Sequence, residues 1–337
     1  MVKIYAKEPY RKTIVPKKIR GYIDLLRPFT LLAPLLGGVS GALMGLAVAP
    51  LPGYENRLVG PVFSMEFPYF SWEFPFLELL WGVGALMMIN AGSNALNQVY
   101  DSKIDKINKP YRPIPKKIVT KDEARTIAWV MYLIILWRAA TFSVEAEGRG
   151  AFAFFILIIM IVTIFYSVPP VRLKKRLWIN NFSIAATRGL LGFVAAWCIF
   201  GDYRDPTPWI VGLIMGIYLI GAVTTKDFTD TKGDKKYGMK TLPIHYGRTT
   251  AIALSAPFFV LPFLLIPLAI WRGRLIPTTL GMSVLIIWGA YIVFLLYKYA
   301  EVPDEKFENS PVWKHMYLML MAIQIGFCIS YLFDYFY

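Results

Sequence analysis

Nine stretches of about twenty apolar residues recur along this chain, the length a helix needs to cross a bilayer core of about 30 Å. They fall near 28–50, 75–100, 122–141, 150–168, 181–201, 207–227, 249–271, 277–299 and 312–335. No soluble domain carries so many, and the composition agrees: 56% of the 337 residues are hydrophobic and only 17% charged. The expected fold is all-α: a polytopic membrane protein with nine transmembrane helices bundled around a central apolar chamber. One transmembrane domain should cover 1–337, with 1–23 as a basic lead and no apolar run there long enough for a cleavable signal. Gly37, Gly38, Ser40, Gly41 and Gly45 should let the first span pack closely. The Pro- and aromatic-rich stretch 51–74, with Tyr69, Phe70, Trp72 and Phe74, suits an interfacial loop.

Lysine and arginine set the orientation. Of the 36, 29 lie in the lead and in the loops after spans two, four, six and eight. The opposite loops hold Arg57, Arg149, Arg204, Arg272 and Arg274, and only Arg138 and Arg188 lie within spans. The lead and the even-numbered loops should therefore be cytoplasmic. The net charge of +14 is then mainly a topology signal, and no nucleic-acid-binding motif accompanies it. Cys198 and Cys328 lie inside apolar segments, so no disulfide framework or zinc site is indicated, and His245 and His315 are isolated.

Two acidic clusters end spans two and six. Asn97, Asp101 and Asp105 recur every fourth residue and should share one helical face. Carboxylates one turn apart, roughly 5–6 Å, repel by about 3 kcal/mol at an effective dielectric of about 20 unless a cation intervenes. Asp227, Asp230 and Asp234 repeat the theme at i, i+3 and i+7, one helical face if the helix continues there and not if Gly233 ends it first. Oxygen ligands without neighbouring His or Cys suit Mg²⁺, which bridges carboxylates to phosphates. Carboxylates at span ends are expected outside the packed core. The spans that carry the clusters are four apart, so the two halves should run parallel.

Basic residues follow both clusters: Lys109, Arg112, Lys116 and Lys117 after the first, Lys232, Lys235, Lys236 and Lys240 after the second. A third loop adds Tyr166-Ser-Val-Pro-Pro-Val-Arg172-Leu-Lys174-Lys175. Carboxylate-held Mg²⁺ with Lys and Arg is the equipment a diphosphate requires, and a membrane scaffold adds room for a hydrocarbon tail. A polyprenyl diphosphate donor and a lipophilic acceptor drawn from the bilayer fit both. The alternative from another class is a transporter or channel using the acids for cations, but such a path would place acids mid-span.

Asn97-x-x-x-Asp101-x-x-x-Asp105 followed by Asn108-Lys109-Pro110-x-Arg112-Pro113-Ile114-Pro115 resembles the first signature of the UbiA superfamily of intramembrane prenyltransferases. Tyr166-Ser-x-Pro-Pro-x-Arg172-Leu-Lys174 and Asp227-x-x-Asp230-x-x-x-Asp234, with Tyr237-Gly238 and Thr241-Leu242-Pro243, resemble its later ones. The resemblance implies a Mg²⁺-dependent prenyltransferase, with a geranylgeranyl chain as the expected donor group. Asn97, Asp101, Asp105, Asp227, Asp230 and Asp234 would be its catalytic, metal-holding residues, and Lys109, Arg112, Arg172 and Lys174 would contact the diphosphate. Two departures stand out: Gln98 where many members have Asp, and Lys116-Lys117 where they have Ser-Gly. The excess of basic residues at this face favours an acceptor that carries a carboxylate or phosphate.

Overall fold

The computed structural model describes residues 15–55, 74–145, 147–303, 307 and 310–337. Most of the proposed interfacial loop, with Arg57, lies outside the described residues, as does the first part of the basic lead. Within them the chain is helical, and its contiguous apolar runs dictate this: a backbone in lipid has to satisfy its own polar groups. The helices are α1 (Lys17–Leu26), α2 (Leu32–Val48), α3 (Phe76–Tyr100), α4 (Ser102–Asn108), α5 (Lys121–Glu145), α6 (Gly150–Ser167), α7 (Leu177–Ile184) and α8 (Leu191–Trp197). They continue as α9 (Thr207–Asp227), α10 (Thr231–Lys236), α11 (Leu242–Tyr246), α12 (Arg248–Ser255), α13 (Leu261–Trp271), α14 (Leu285–Lys298) and α15 (Pro311–Phe336).

Eight described segments are long and apolar enough to cross a membrane. The fifth of the nine expected spans differs, because α7 and α8 are separated by a π-helical stretch, Ala185–Leu190. Its course still runs from one end of the bundle to the other. Asn180 in α7 bonds to Asp227 at the end of α9, whereas Leu51, just past α2, donates its N–H to Phe200 O at 2.7 Å. The π turn is pressed onto α9 where Gly189 meets Gly216; a Cβ on Gly189 would lie 2.5 Å from the Gly216 Cα. A methyl group there would force the two elements apart.

The buried apolar residues form two clusters, one drawing on α2, α3, α5, α6 and α8, the other on α9 and α12–α15. Met44 of α2 and Trp197 of α8 belong to the second cluster and tie the halves together. Leu80, Trp137, Ile287 and Phe294 face outward, as a hydrocarbon solvent permits. Between the clusters lies a cavity of about 560 Å³.

The last third of the expected lead is not loose. It forms α1, which packs on α3 and is pinned there by amides of α3. Asn94 Nδ2 donates to Leu26 O at 3.0 Å, Gln98 Nε2 to Leu25 O at 2.7 Å and Asn90 Nδ2 to Thr30 O at 2.9 Å. Gln98 therefore serves the α1–α3 joint, which explains an amide at a position where an acid was expected.

Candidate active site

Both acidic clusters kink rather than run as straight helices. Asp101 sits between α3 and α4 with φ −95° and ψ 7°, and Asp230 precedes α10 with φ −107° and ψ 5°. Gly233 does not end its helix; α10 passes through it to Lys236, and Gly238 at φ 69° follows. Gly233 is needed for close approach instead. Its N–H donates to Asn108 Oδ1 at 2.7 Å, while Asn108 Nδ2 donates to Asp230 O at 2.7 Å. A Cβ at 233 would lie 2.6 Å from that Asn108 oxygen. One asparagine thus locks the two acidic turns face to face.

The expected site residues converge. Asn97, Asp101, Asp105, Asp227, Asp230 and Asp234 line one polar pocket together with Arg112 and Lys174. Against the expectation that span-end carboxylates avoid the core, Asp101, Asp105, Asp227 and Asp230 are buried, as is Asn97. Buried charges need partners, and cations arrive from two loops. Arg112 Nη1 lies 2.6 Å from Asp105 Oδ1, Lys109 Nζ lies 3.3 Å from Asp230 Oδ1, and Arg172 Nη2 lies 2.9 Å from Asp101 Oδ1. Lys174 also pairs with Asp101. By contrast Lys116, Lys117, Lys175, Arg176, Lys232, Lys235 and Lys236 are exposed and line neither the polar pocket nor the chamber.

These partners set the charge states. Burial pushes the Asp101 carboxyl up, but Lys174 and Arg172 outweigh it and hold it below the usual carboxylate value. Asp230 is likewise held low, with Lys109, Lys226 and Arg112 overcoming burial. Asp105 goes up, because burial exceeds what Arg112 returns. Asp234, raised by burial and then by the Asp230 carboxylate, reaches about 7.

Among the described residues no three His, Cys or acidic side chains converge on one point in ligating geometry. The donor set still fits a hard divalent ion. Asp105 Oδ2 is buried without a hydrogen-bond partner, and Asp234 makes no ion pair with any described residue. All the ligand atoms on offer are oxygens.

The polar pocket opens into the large cavity, and Asn97, Arg112, Tyr166, Lys226 and Asp230 line both spaces. Several residues here escaped the sequence reading. Arg27 Nη2 approaches Asn97 Oδ1 at 3.4 Å from a left-handed turn (φ 53°) between α1 and α2. Asn180 Nδ2 donates to Asp227 Oδ2 at 3.1 Å, and Tyr166 OH donates to Asn180 Oδ1 at 2.8 Å. The Asn180-Asn181 pair was a usable signal, because two adjacent amides are out of place at the edge of an apolar span.

The UbiA prenyltransferase family profile matches residues 58–313. The chain belongs to that family. Chlorophyll synthase of Arabidopsis thaliana is 32% identical over 160 residues, 47% of this chain and 41% of that protein. The matched part thus spans less than half the length of that relative. Digeranylgeranylglyceryl phosphate synthase of Methanosphaera stadtmanae is 26% identical over 254 residues, 75% of this chain and 88% of that protein. A solved structure of a UbiA homolog from Archaeoglobus fulgidus bound to DMAPP and Mg²⁺ superposes with a TM-score of 0.67 at 19% identity. The match covers 94% of this chain and 98% of that one, which gives the UbiA fold.

Proposed function

We propose that this UbiA family member transfers a polyprenyl group, geranylgeranyl as the expected chain, from its diphosphate to a lipophilic acceptor in the membrane, with Mg²⁺ as cofactor. One observation carries the proposal: both acidic turns and the cations Lys109, Arg112, Arg172 and Lys174 gather at one polar mouth, which opens into a cavity of about 560 Å³ between the helix clusters. That volume lies within the range of about 300–1,000 Å³ usual for small-molecule sites. A transporter would need acids along its path, whereas all six motif residues stand at one end of the bundle.

Asn97, Asp101 and Asp105 on one turn and Asp227, Asp230 and Asp234 on the other would hold the ions. Mg²⁺ held by them would supply neutralisation of the charge on the departing diphosphate. Lys109 and Arg112, now paired with Asp230 and Asp105, can exchange those partners for phosphate oxygens. Arg172 and Lys174 can do the same from the opposite loop. As the C1–O bond breaks, its electron pair leaves with the diphosphate. The allylic cation is then taken by the acceptor, which forms the new bond and gives up a proton. The apolar chamber keeps water from that cation. The mouth faces the cytoplasm on the positive-inside count, so maleimide should label Lys117→Cys and Arg204→Cys from opposite sides of a sealed vesicle.

Labelled geranylgeranyl diphosphate should bind the purified full chain in Mg²⁺ and leave on adding EDTA. Binding that ignores EDTA would remove the metal bridge. Absence of transfer to every acceptor in a panel of a hydroxybenzoate, a glyceryl-ether phosphate and an uncharged quinol would remove the transferase reading.

A further inference from the structure

Two arginines lie within spans, and their surroundings differ. Arg138 in α5 donates to Thr141 Oγ1 at 3.0 Å and stacks on Trp81 and Phe142, with 5.4 and 5.1 Å to the ring centroids. Its charge is accounted for by local partners. Arg188 has no hydrogen bond, ion pair or ring stack with any described residue, yet it lines the large cavity and its surface is exposed there. An ionisable side chain at membrane depth is costly to keep and usually marks a site.

Its place in the fold is also unusual. Arg188 sits in the π-helical stretch Ala185–Leu190, and such bulges often occur at functional sites. It stands eight residues beyond Asn180, the partner of Asp227, so about 12 Å deeper along the helix. Arg27, Lys109, Arg112 and Lys226 already surround the mouth. A diphosphate held there is served without Arg188. The same chamber is lined by amides besides its apolar walls. Asn90 and Gln324 line it, are 7% and 3% exposed, and their side-chain oxygens, Oδ1 and Oε1, have no hydrogen-bond partner. Arg188 presents the exposed guanidinium fork in that space, a donor set for a ligand that bears an anion.

We propose that Arg188 is the acceptor-recognition residue of this enzyme, binding a carboxylate or phosphate on the acceptor within the chamber and so setting which acceptors are prenylated. The inference rests on the transferase reading above and adds to it the chemical class of the second substrate. It also relocates the anion-binding role that the sequence alone assigned to surplus lysines, which the structure leaves on the outer surface.

The test measures equilibrium binding, so it does not require turnover. Full-length protein in detergent is titrated separately with labelled hydroxybenzoate, with geranylgeranylglyceryl phosphate, with an uncharged quinol, and with geranylgeranyl diphosphate plus Mg²⁺. R188Q should weaken an anionic acceptor by roughly 10- to 100-fold, the worth of one charge-assisted contact. The quinol and the diphosphate should change by less than about twofold, a result that also shows the variant is folded. R188K, which keeps the charge and loses the fork, should fall between. Comparison of the carboxylate and phosphate titrations tells which anion is the natural one. Equal weakening of acceptor and diphosphate, or wild-type protein that binds only the quinol, overturns the proposal. If R188Q does not assemble, R188K decides: an unchanged affinity for the anionic acceptor overturns it. Arg188-dependent binding with no prenyl transfer to any acceptor would instead remove the transferase reading and leave the anion site standing.

Discussion

Asp101 and Asp230 stand at equivalent places in two similar turns. Each follows a long apolar helix, each has backbone angles between helix and strand, and each leads into a short helix that packs against the other. The counter-charges differ. In the first turn Asp101 meets Arg172 and Lys174, and Asp105 meets Arg112. In the second, Asp230 has Lys109, Asp227 has the neutral amide of Asn180, and Asp234 has no ion pair among the described residues. Both aspartates of the first turn are ion-paired, whereas in the second only Asp230 is, with Lys226 acting at longer range, so Asp227 and Asp234 remain open to a cation from solution. On the proposed function similar backbones would divide the work: the first turn would hold Arg112, Arg172 and Lys174 for the diphosphate, and the second would offer Asp227 and Asp234 to the metal.

That division is broken most sharply at Asp234. Asp234→Ala should lower prenyl transfer by about a hundredfold or more, the scale of losing one preorganised electrostatic contact at a reacting centre. Its thermal stability should not fall, since the change removes a like charge beside Asp230. A variant that melts well below wild type would mean Asp234 is structural, and the contrast between the turns would fail.

Asp101→Ala should behave differently. Transfer should drop by about tenfold or more, and the protein should also lose about 3 kcal/mol, because Arg172 and Lys174 would be left buried without their carboxylate. Stabilities measured for the two alanine variants in the same detergent separate the cases. Equal melting of both would show that pairing in the first turn contributes nothing to the fold.

The third consequence is pH dependence. Asp234 titrates near 7 in the metal-free protein, so at pH 6 it is largely protonated and a metal has to displace that proton. Apparent Mg²⁺ affinity should rise by about tenfold from pH 6 to pH 8, following the growing fraction of carboxylate. Asp234→Asn should flatten the dependence. Asp101, held below the ordinary value, is already ionised across that window and should contribute no slope.

The apolar spans were legible in the sequence because they rest on composition, and the ten proposed site residues, picked from spacing of three or four residues, do gather at one mouth. The sequence could not carry relations set by contact between distant segments. Asn108 lies in a quoted motif, yet its role depends on Gly233 coming within reach 125 residues later. Arg27 reaches Asn97 only because Asn90, Asn94 and Gln98 fasten the turn that carries it. The π turn is invisible in an apolar run, since Ala185–Leu190 differs from α-helix only in which carbonyl each N–H meets. Burial of the acids was misjudged for a related reason: apolar patterning ends at Tyr100 and Asp227, but packing continues past it through α4 and α10.

The smallest effect is expected at Lys232, and it tests whether the turns act through defined contacts or through bulk charge. Lys232 shares α10 with Asp234 but is exposed and lines neither the polar pocket nor the chamber. If the site only needed a positive local field, removing any nearby lysine would cost about the same. If it needs particular partners, an exposed charge screened over about 10 Å of salt solution should matter little. Lys232→Ala should therefore change transfer and Mg²⁺ affinity by less than about twofold, within the range of an ordinary surface substitution. Lys109→Ala, which unpairs the buried Asp230, is the matched variant and should show a far larger loss in the same assay. Equal losses in the two would mean that position within the turns is irrelevant, and the difference drawn between them would have no basis.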